Sequence, residues 1–339
     1  MSMALRGDLR IPQGKLGLFM GRMGVALALY VLSRKEKNSG IADVADKMLS
    51  SILDKLGTIK TMSVDSGLLG IGLAVDYLMA EKYVEGEADD VLREIDAAVY
   101  REVMDSRVEI GLDSCSGLVG YLFYVVSRLG HTEKTNPVRH GLNCASLRSI
   151  VDRLSGVVPS CIPDLPRDLY ISVLWKYPLL FIVLGMALDL NVYNAKIVAL
   201  LRSWSFYLKA YVPAGNVNKL YLAVSLAYLN KRVDSPEIEE QVNLLLHSCD
   251  FQKMPMEADP RIMDINEGWF FFVSLLKVAE MQFHGSVYEN SMRICREKML
   301  RVHMPLYGEF VKKKGLCVDL IHGLSGVEIL LALFPQAFC

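Results

Sequence analysis

The chain has 339 residues, 52% hydrophobic and 22% charged, with a formal net charge of -1. That composition excludes disorder and supports a large core, in one big domain or two ordinary ones. The near-neutral charge gives no electrostatic reason to expect nucleic acid as a partner. Seven cysteines, Cys115, Cys144, Cys161, Cys249, Cys295, Cys317 and Cys339, are scattered and never spaced as CxxC, which argues against a disulfide framework or a zinc ribbon.

The opening stretch MSMALRGDLRIPQGK has no apolar core and no cleavage pattern, so no signal peptide is expected. From Gly21, GRMGVALALYVL is apolar on nearly every side. IADVADKMLSSILDKLG (41–57) follows, with Ile41, Val44, Ala45, Met48, Ile52, Leu53 and Leu56 near one face at helical spacing. GLLGIGLAVDYL from Gly67 repeats the apolar pattern. VLREIDAAVYREVMD (91–105) repeats the amphipathic one, through Val91, Leu92, Ile95, Ala98, Val99 and Val103. GLVGYLFYVVSRL from Gly117 is a third apolar copy, and a short piece at 156–162 is ambiguous between helix and strand. Weaker copies are PLLFIVLGMAL from Pro178, NKLYLAVSLAYL from Asn218 and GWFFFVSLLKVAE from Gly268. The run Lys312, Lys313, Lys314 reads as a solvated loop, after which GLSGVEILLALF from Gly323 restores both glycines. Mean hydropathy is positive, yet the best membrane candidate, YPLLFIVLGMALDLNVY (177–193), is interrupted by Asp189, Asn191 and Pro178. It falls short of the ~20 clean apolar residues a span needs, and a soluble protein of a reducing compartment, the cytoplasm, is expected.

The seven starts, 21, 67, 117, 178, 218, 268 and 323, recur at about 50 residues, the mark of a repeated supersecondary unit. Each unit pairs an apolar helix with an amphipathic one. Helices apolar all round belong to an inner layer, and one-sided helices wrap them. The first and last copies keep their glycines best and are as apolar as the rest, whereas an open solenoid would end in polar caps. The expected fold is therefore all-α, a closed double-layer α/α toroid of seven helical hairpins in a single domain over 1–339, its inner helices opened by GxxG turns that permit close backbone approach.

Such a toroid gathers the residues before each start at one mouth. The position just before each start holds Met20, Ser66, Ser116, Tyr177, Val217, Glu267 and His322. One residue earlier stand Phe19, Asp65, Cys115, Lys176, Asn216, Asn266 and Ile321, and Asp113, Asp264 and Asp319 recur four before a glycine. Helix N-termini bring partial positive charge to that mouth, favouring anions and thiolates. The candidate substrate-binding rim is Ser66, Asp113, Ser116, Asn266, Trp269 and Asp319. His322, Glu267 and Asp264 are the catalytic candidates, and Cys317, His322 and Cys115 the candidate metal donors.

Seven inner helices opened by GxxG turns in an all-α double barrel resemble the lanthionine synthetase C-like (LanC-like) family over essentially the whole chain. The resemblance implies a zinc ion at the mouth, held by a Cys in a Trp-Cys-x-Gly turn and an adjacent Cys-His in a Cys-His-Gly turn. It further implies a peptide substrate, whose cysteine the zinc holds as thiolate for addition to a dehydrated Ser or Thr, closing a thioether ring. The sequence departs from this pattern. The last turn has Ile321 before His322, the third has Cys115 before Ser116, and the sixth has neither Cys nor His. Cys317 with His322 supplies two donors, fewer than the three a catalytic zinc takes from protein. The expected function is a protein that binds a peptide or partner protein at the mouth without the family's zinc-dependent cyclase activity. Second stands a divergent lanthionine cyclase, and third another (α/α) barrel enzyme such as a glycosidase, with Asp264 and Glu267 as acid and base.

Overall fold

The computed structural model describes residues 15–131, 136–161, 171–209, 211–259, 261–314, 320 and 325–327, and every regular element among them is helical. The inner helices are α1 (Arg22–Glu36), α3 (Leu68–Ala80), α6 (Leu118–His131), α8 (Lys176–Asp189), α10 (Asn216–Val233) and α12 (Trp269–Gln282). Each packs on the next, α1 on α3, α3 on α6, α6 on α8, α8 on α10 and α10 on α12. The outer helices are α2 (Ser39–Leu53), α4 (Ala88–Val91) with α5 (Arg93–Met104), α7 (Pro137–Cys161), α9 (Asn194–Leu208), α11 (Pro236–His247) and α13 (Glu289–Lys314). A seventh inner start is marked by helical Ser325–Val327.

The two layers differ in burial as the sequence pattern requires. α3 buries Leu69, Ile71, Leu73, Ala74, Val75 and Leu78, residues that point in every direction around its axis. α2 buries only Ala45, Met48, Leu49 and Ile52, one stripe toward the core, each large aliphatic side chain stabilising by about 1.5–3 kcal/mol. Val44, expected on that stripe, is 45% exposed, and Leu49 takes its place because the stripe follows 3.6-residue geometry from Ala45 onward. Residues 156–161 continue α7 rather than forming a strand. Lys312, Lys313 and Lys314 close α13 as its last turn, not a loop, cations being favoured at a helix C-terminus. Helices α8 and α10 start at Lys176 and Asn216, two residues ahead of the starts read from the sequence, so Tyr177 and Val217 are buried first-turn residues rather than rim positions. Among the described residues no helix is long and apolar enough to cross a membrane.

The C-terminal halves of α3 and α6 are held by a buried charge cluster. The Arg128 side chain has no exposure and pairs with Asp76 of α3 at 2.7 Å, Asp89 of α4 at 2.7 Å and Asp96 of α5 at 3.2 Å. Tyr124 Oη donates to Asp96 at 2.7 Å, and its ring lies where a Cβ on Gly72 would stand, so that glycine lets α6 close onto α3. Asp76 also accepts from Ser127 Oγ at 2.7 Å and meets His131 Nδ1 at 2.7 Å. Burial alone would raise the Asp76 carboxyl, but His131, Arg128 and Ser127 outweigh it and hold it below the usual range. The hydrogen bond to Asp76 raises His131, against the opposing effect of burial.

Arg128→Met removes the cation and strands the buried Asp76 and Asp96. Breaking one side of such a cluster costs about 3–5 kcal/mol, and urea unfolding should show that loss; a change under ~1 kcal/mol would refute the cluster as a structural anchor. The His131 contribution has a definite sign. Because its folded pKa is raised, its stabilisation is complete below the unfolded value of about 6.5 and fades as pH rises through the folded value. Thermal unfolding between pH 6 and 8 should show stability falling in the native chain and a flatter profile in His131→Asn; identical slopes would remove this linkage.

Candidate functional site

The inner-helix entries share one backbone design. In four turns the residue after the first glycine donates its N–H to the carbonyl six before that glycine: Arg22 to Lys15 at 3.0 Å, Leu68 to Thr61 at 3.0 Å, Leu118 to Gly111 at 2.8 Å and Trp269 to Ile262 at 3.1 Å. The loop so closed leaves no room for a side chain. A Cβ on Gly21, Gly67, Gly117 or Gly268 would overlap the backbone of Gly17, Ser63, Asp113 or Asp264, four residues earlier. A Cβ on the second glycine, Gly24, Gly70 or Gly326, would strike the carbonyl oxygen of Leu18, Val64 or Leu320. The glycines serve close approach rather than left-handed backbone, since Gly21 (φ -139) and Gly67 (φ -114) are extended.

Hydrogen bonds then join turn to turn along the rim. Leu320 N donates to Phe19 O at 2.8 Å, Phe19 N to Asp65 O at 2.9 Å and Val64 N to Cys115 O at 2.9 Å. Ser114 Oγ donates to Leu174 O at 2.7 Å, and Val173 N to Asn266 O at 2.8 Å. The Ile265 side chain packs against Gly326, bringing the sixth turn to the seventh. The rim therefore runs through turns seven, one, two, three, four and six. The fourth segment reaches the sixth turn directly, and the start of α10 is covered separately. There the Glu257 carboxylate accepts from Asn216 N at 2.9 Å, Asn216 Nδ2 at 2.7 Å and Val217 N at 3.0 Å, an N-cap supplied by a distant loop.

The site residues expected from the sequence divide sharply. Asp113 Oδ1 accepts from Cys115 N at 2.8 Å, Ser116 N at 2.7 Å and Ser116 Oγ at 3.1 Å. Asp264 Oδ1 accepts from Asn266 N at 3.0 Å, Glu267 N at 3.0 Å and Gly268 N at 3.1 Å. Asp264 is buried and acts as the cap of its own turn, which counts against it as a proton donor. Asn266 is buried, and its Oδ1 accepts from Ser172 Oγ at 2.6 Å. Trp269 is fully buried and stacked on Phe270, so it belongs to the core and not to the rim. Ser66 and Ser116 are exposed and Glu267 is half-buried. Cys317, Asp319 and His322 lie outside the described residues.

Cys115 does not have the thiolate character expected of a helix N-terminus. Burial pushes its thiol up to about 12, and the negative charges of Asp65 and Asp113 push in the same direction. The loop N–H groups of Ser116 and Glu267, just ahead of the third and sixth helices, are already taken by Asp113 and Asp264. A zinc site of the family's kind does not fit the described donors. The sixth turn, which has neither Cys nor His, holds Asn266 two residues before Gly268 with its carboxamide engaged. Among the described residues no group of three His, Cys, Asp or Glu side chains is placed to share an ion.

Among the described residues, two cavities flank this end of the molecule. One, about 390 Å³, lies between the first and second turns against Lys15, Met20, Ile59, Thr61, Asp65 and Ser66. The other, about 690 Å³, lies between the end of α11 and α13, against Cys249, Cys295 and Lys298. Burial pushes both of those thiols up to about 12, which leaves them poor nucleophiles near neutral pH. Only the smaller cavity opens between rim turns. Lys15 was missed by the sequence reading, although it occupies the same place, six before the glycine, as Thr61 in the next repeat.

A search of curated protein sequences finds no match. The family model described as "Lanthionine synthetase C-like protein" matches residues 12–157. Among solved structures the chain is similar to "Nisin cyclase", with a TM-score of 0.68 over 97% of this chain and 90% of that one at 17% identity, a likeness that speaks for the fold. Residues 12–157 are thus similar in sequence to lanthionine synthetase C-like proteins, and nearly the whole chain shares the fold of nisin cyclase.

Proposed function

We propose that this LanC-like protein holds a peptide at the barrel rim and does not carry out the zinc-dependent thioether cyclisation of its relatives. The observation that carries the reading is Asn266. Two residues before Gly268, the place a Trp-Cys-x-Gly turn would give its Cys, this chain has a buried amide that ties the sixth turn to Ser172 of the fourth segment. A ligand position has become a fastening between two stretches of the rim. Ile321 ahead of His322 and the raised Cys115 thiol agree with it, since neither supplies a thiolate at neutral pH. What remains at the rim is a set of hydroxyls and carboxylates, Ser66, Ser116 and Glu267, on a backbone fixed by its own hydrogen bonds. Such a surface suits peptide binding, with polar groups held on a rigid frame.

If Asn266 is a fastening, Asn266→Ala leaves the buried Ser172 hydroxyl without its acceptor and should lower stability by about 1–2 kcal/mol in urea unfolding; no loss would contradict that role. The functional reading is tested on the full chain with a linear synthetic peptide bearing one cysteine and one dehydroalanine. Expected are no thioether formation above the uncatalysed rate, no stoichiometric zinc in protein purified without added metal, and slowed amide exchange in the turns around Ser66 and Ser116 when the peptide is added. Near-stoichiometric zinc lost in His322→Ala, with accelerated ring closure, would instead establish the divergent cyclase. Unchanged exchange in the rim turns would refute peptide binding there.

A further inference from the structure

The pocket between the first and second turns has a feature that ordinary surface concavities lack. It is lined by a cation and an anion that are not spent on each other. The Lys15 side chain is exposed and the Asp65 residue half-buried, and both face one cavity of about 390 Å³. Among the described residues Lys15 makes no ion pair, and the Asp65 carboxylate accepts a single long hydrogen bond, from Ser66 Oγ at 3.3 Å. Its backbone, by contrast, is fixed, because Asp65 O accepts from Phe19 N at 2.9 Å. Thr58, Thr61 and Ser66 add hydroxyls, while Met20, 39% exposed, and Ile59 add apolar surface. The two charges therefore line one cavity without an ion pair between them, with hydrogen-bonding groups and apolar surface beside them.

We propose that this pocket binds a short zwitterionic peptide, its ammonium group on Asp65 and its carboxylate on Lys15. A sphere of this volume is about 9 Å across, close to the ~7–10 Å spanned by two or three extended residues. Hydroxyls at Thr61 and Ser66 then meet the peptide's amide groups, and Met20 and Ile59 meet its side chains. The pocket's size is within the range of small-ligand sites, and each charge pairing that the ligand completes is a charge-assisted hydrogen bond, stronger than a neutral one. The inference rests on the reading of the rim as a peptide-binding surface and gives that surface a location and a chemical preference.

The experiment uses the full chain and two probes, Ala-Ala-Ala and its N-acetylated, C-amidated form, titrated by calorimetry or ligand-observed NMR. The free tripeptide should bind at least tenfold more tightly than the capped one. Lys15→Gln and Asp65→Asn should each weaken the free tripeptide by about tenfold and leave the capped form unchanged. Lys47→Gln, exposed on the outer helix α2, should change neither. Equal binding of the two probes, or native affinity in either charge variant, overturns the proposal. The cysteine- and dehydroalanine-bearing peptide reports the broader reading separately: rim protection by it alongside such a result retains a peptide at the rim and discards this pocket as its seat.

Discussion

An inner helix of this protein is apolar nearly all the way round, so side-chain polarity does little to say which way it should lie. Its placement is decided at the first turn. There a loop is drawn so tight that backbone meets backbone with no Cβ between them, at Gly21, Gly67, Gly117 and Gly268. The same loop offers its remaining peptide groups sideways to its neighbours. Leu320 bonds to Phe19, Phe19 to Asp65 and Val64 to Cys115, so each entry is located by the one beside it. The double layer, the direction of the inner helices and the existence of a rim all depend on that approach.

Because main-chain atoms carry most of these bonds, the side chains at the rim are released from holding it together. Met20, Ser66, Ser116 and Glu267 occupy the same place in four turns, and only the two serines share a chemistry. A scaffold of this kind permits one site to be exchanged for another while the fold persists. The exception is Asn266, whose side chain is part of the frame through Ser172. The opposite end of α3 and α6 is secured by a different device, the single cation of Arg128 shared among Asp76, Asp89 and Asp96. Helices α3 and α6 are thus held at that end by charge and at the rim by backbone.

The parts legible in the sequence are those with a local cause. Glycine spacing and all-round apolarity marked the helices of the first, second, third, sixth and seventh repeats, because a tight turn needs its glycines wherever it occurs. The fourth and fifth copies lack the leading glycine, and their helices start two residues ahead of the aligned positions, at Lys176 and Asn216. The stripe of α5 was readable from Leu92, Ile95, Val99 and Val103, but the burial of Asp96 beside them was not. Its partner Arg128 lies 32 residues away on another helix. Ser172 and Asn266 are 94 apart in sequence. Cys115 owes part of its raised thiol to Asp65 of the preceding repeat, a neighbour that only the ring supplies. Sequence periodicity reports what a segment does with its own residues; it is silent on which distant side chain completes an ion pair or a cap.

The bond from Leu320 N to Phe19 O links residues about 300 positions apart. Every other link of the rim joins segments much nearer in sequence, so the earlier repeats can dock as they emerge from the ribosome. The last link has to wait for the final repeat, and it closes the longest loop in the molecule at the greatest entropic cost. Until then the first turn is an open edge, with the carbonyl of Phe19 unclaimed and the apolar flank of α1 uncovered on one side. The pocket beside Lys15 and Asp65 is built on that same turn, so its final shape is set late, when the ring shuts behind it.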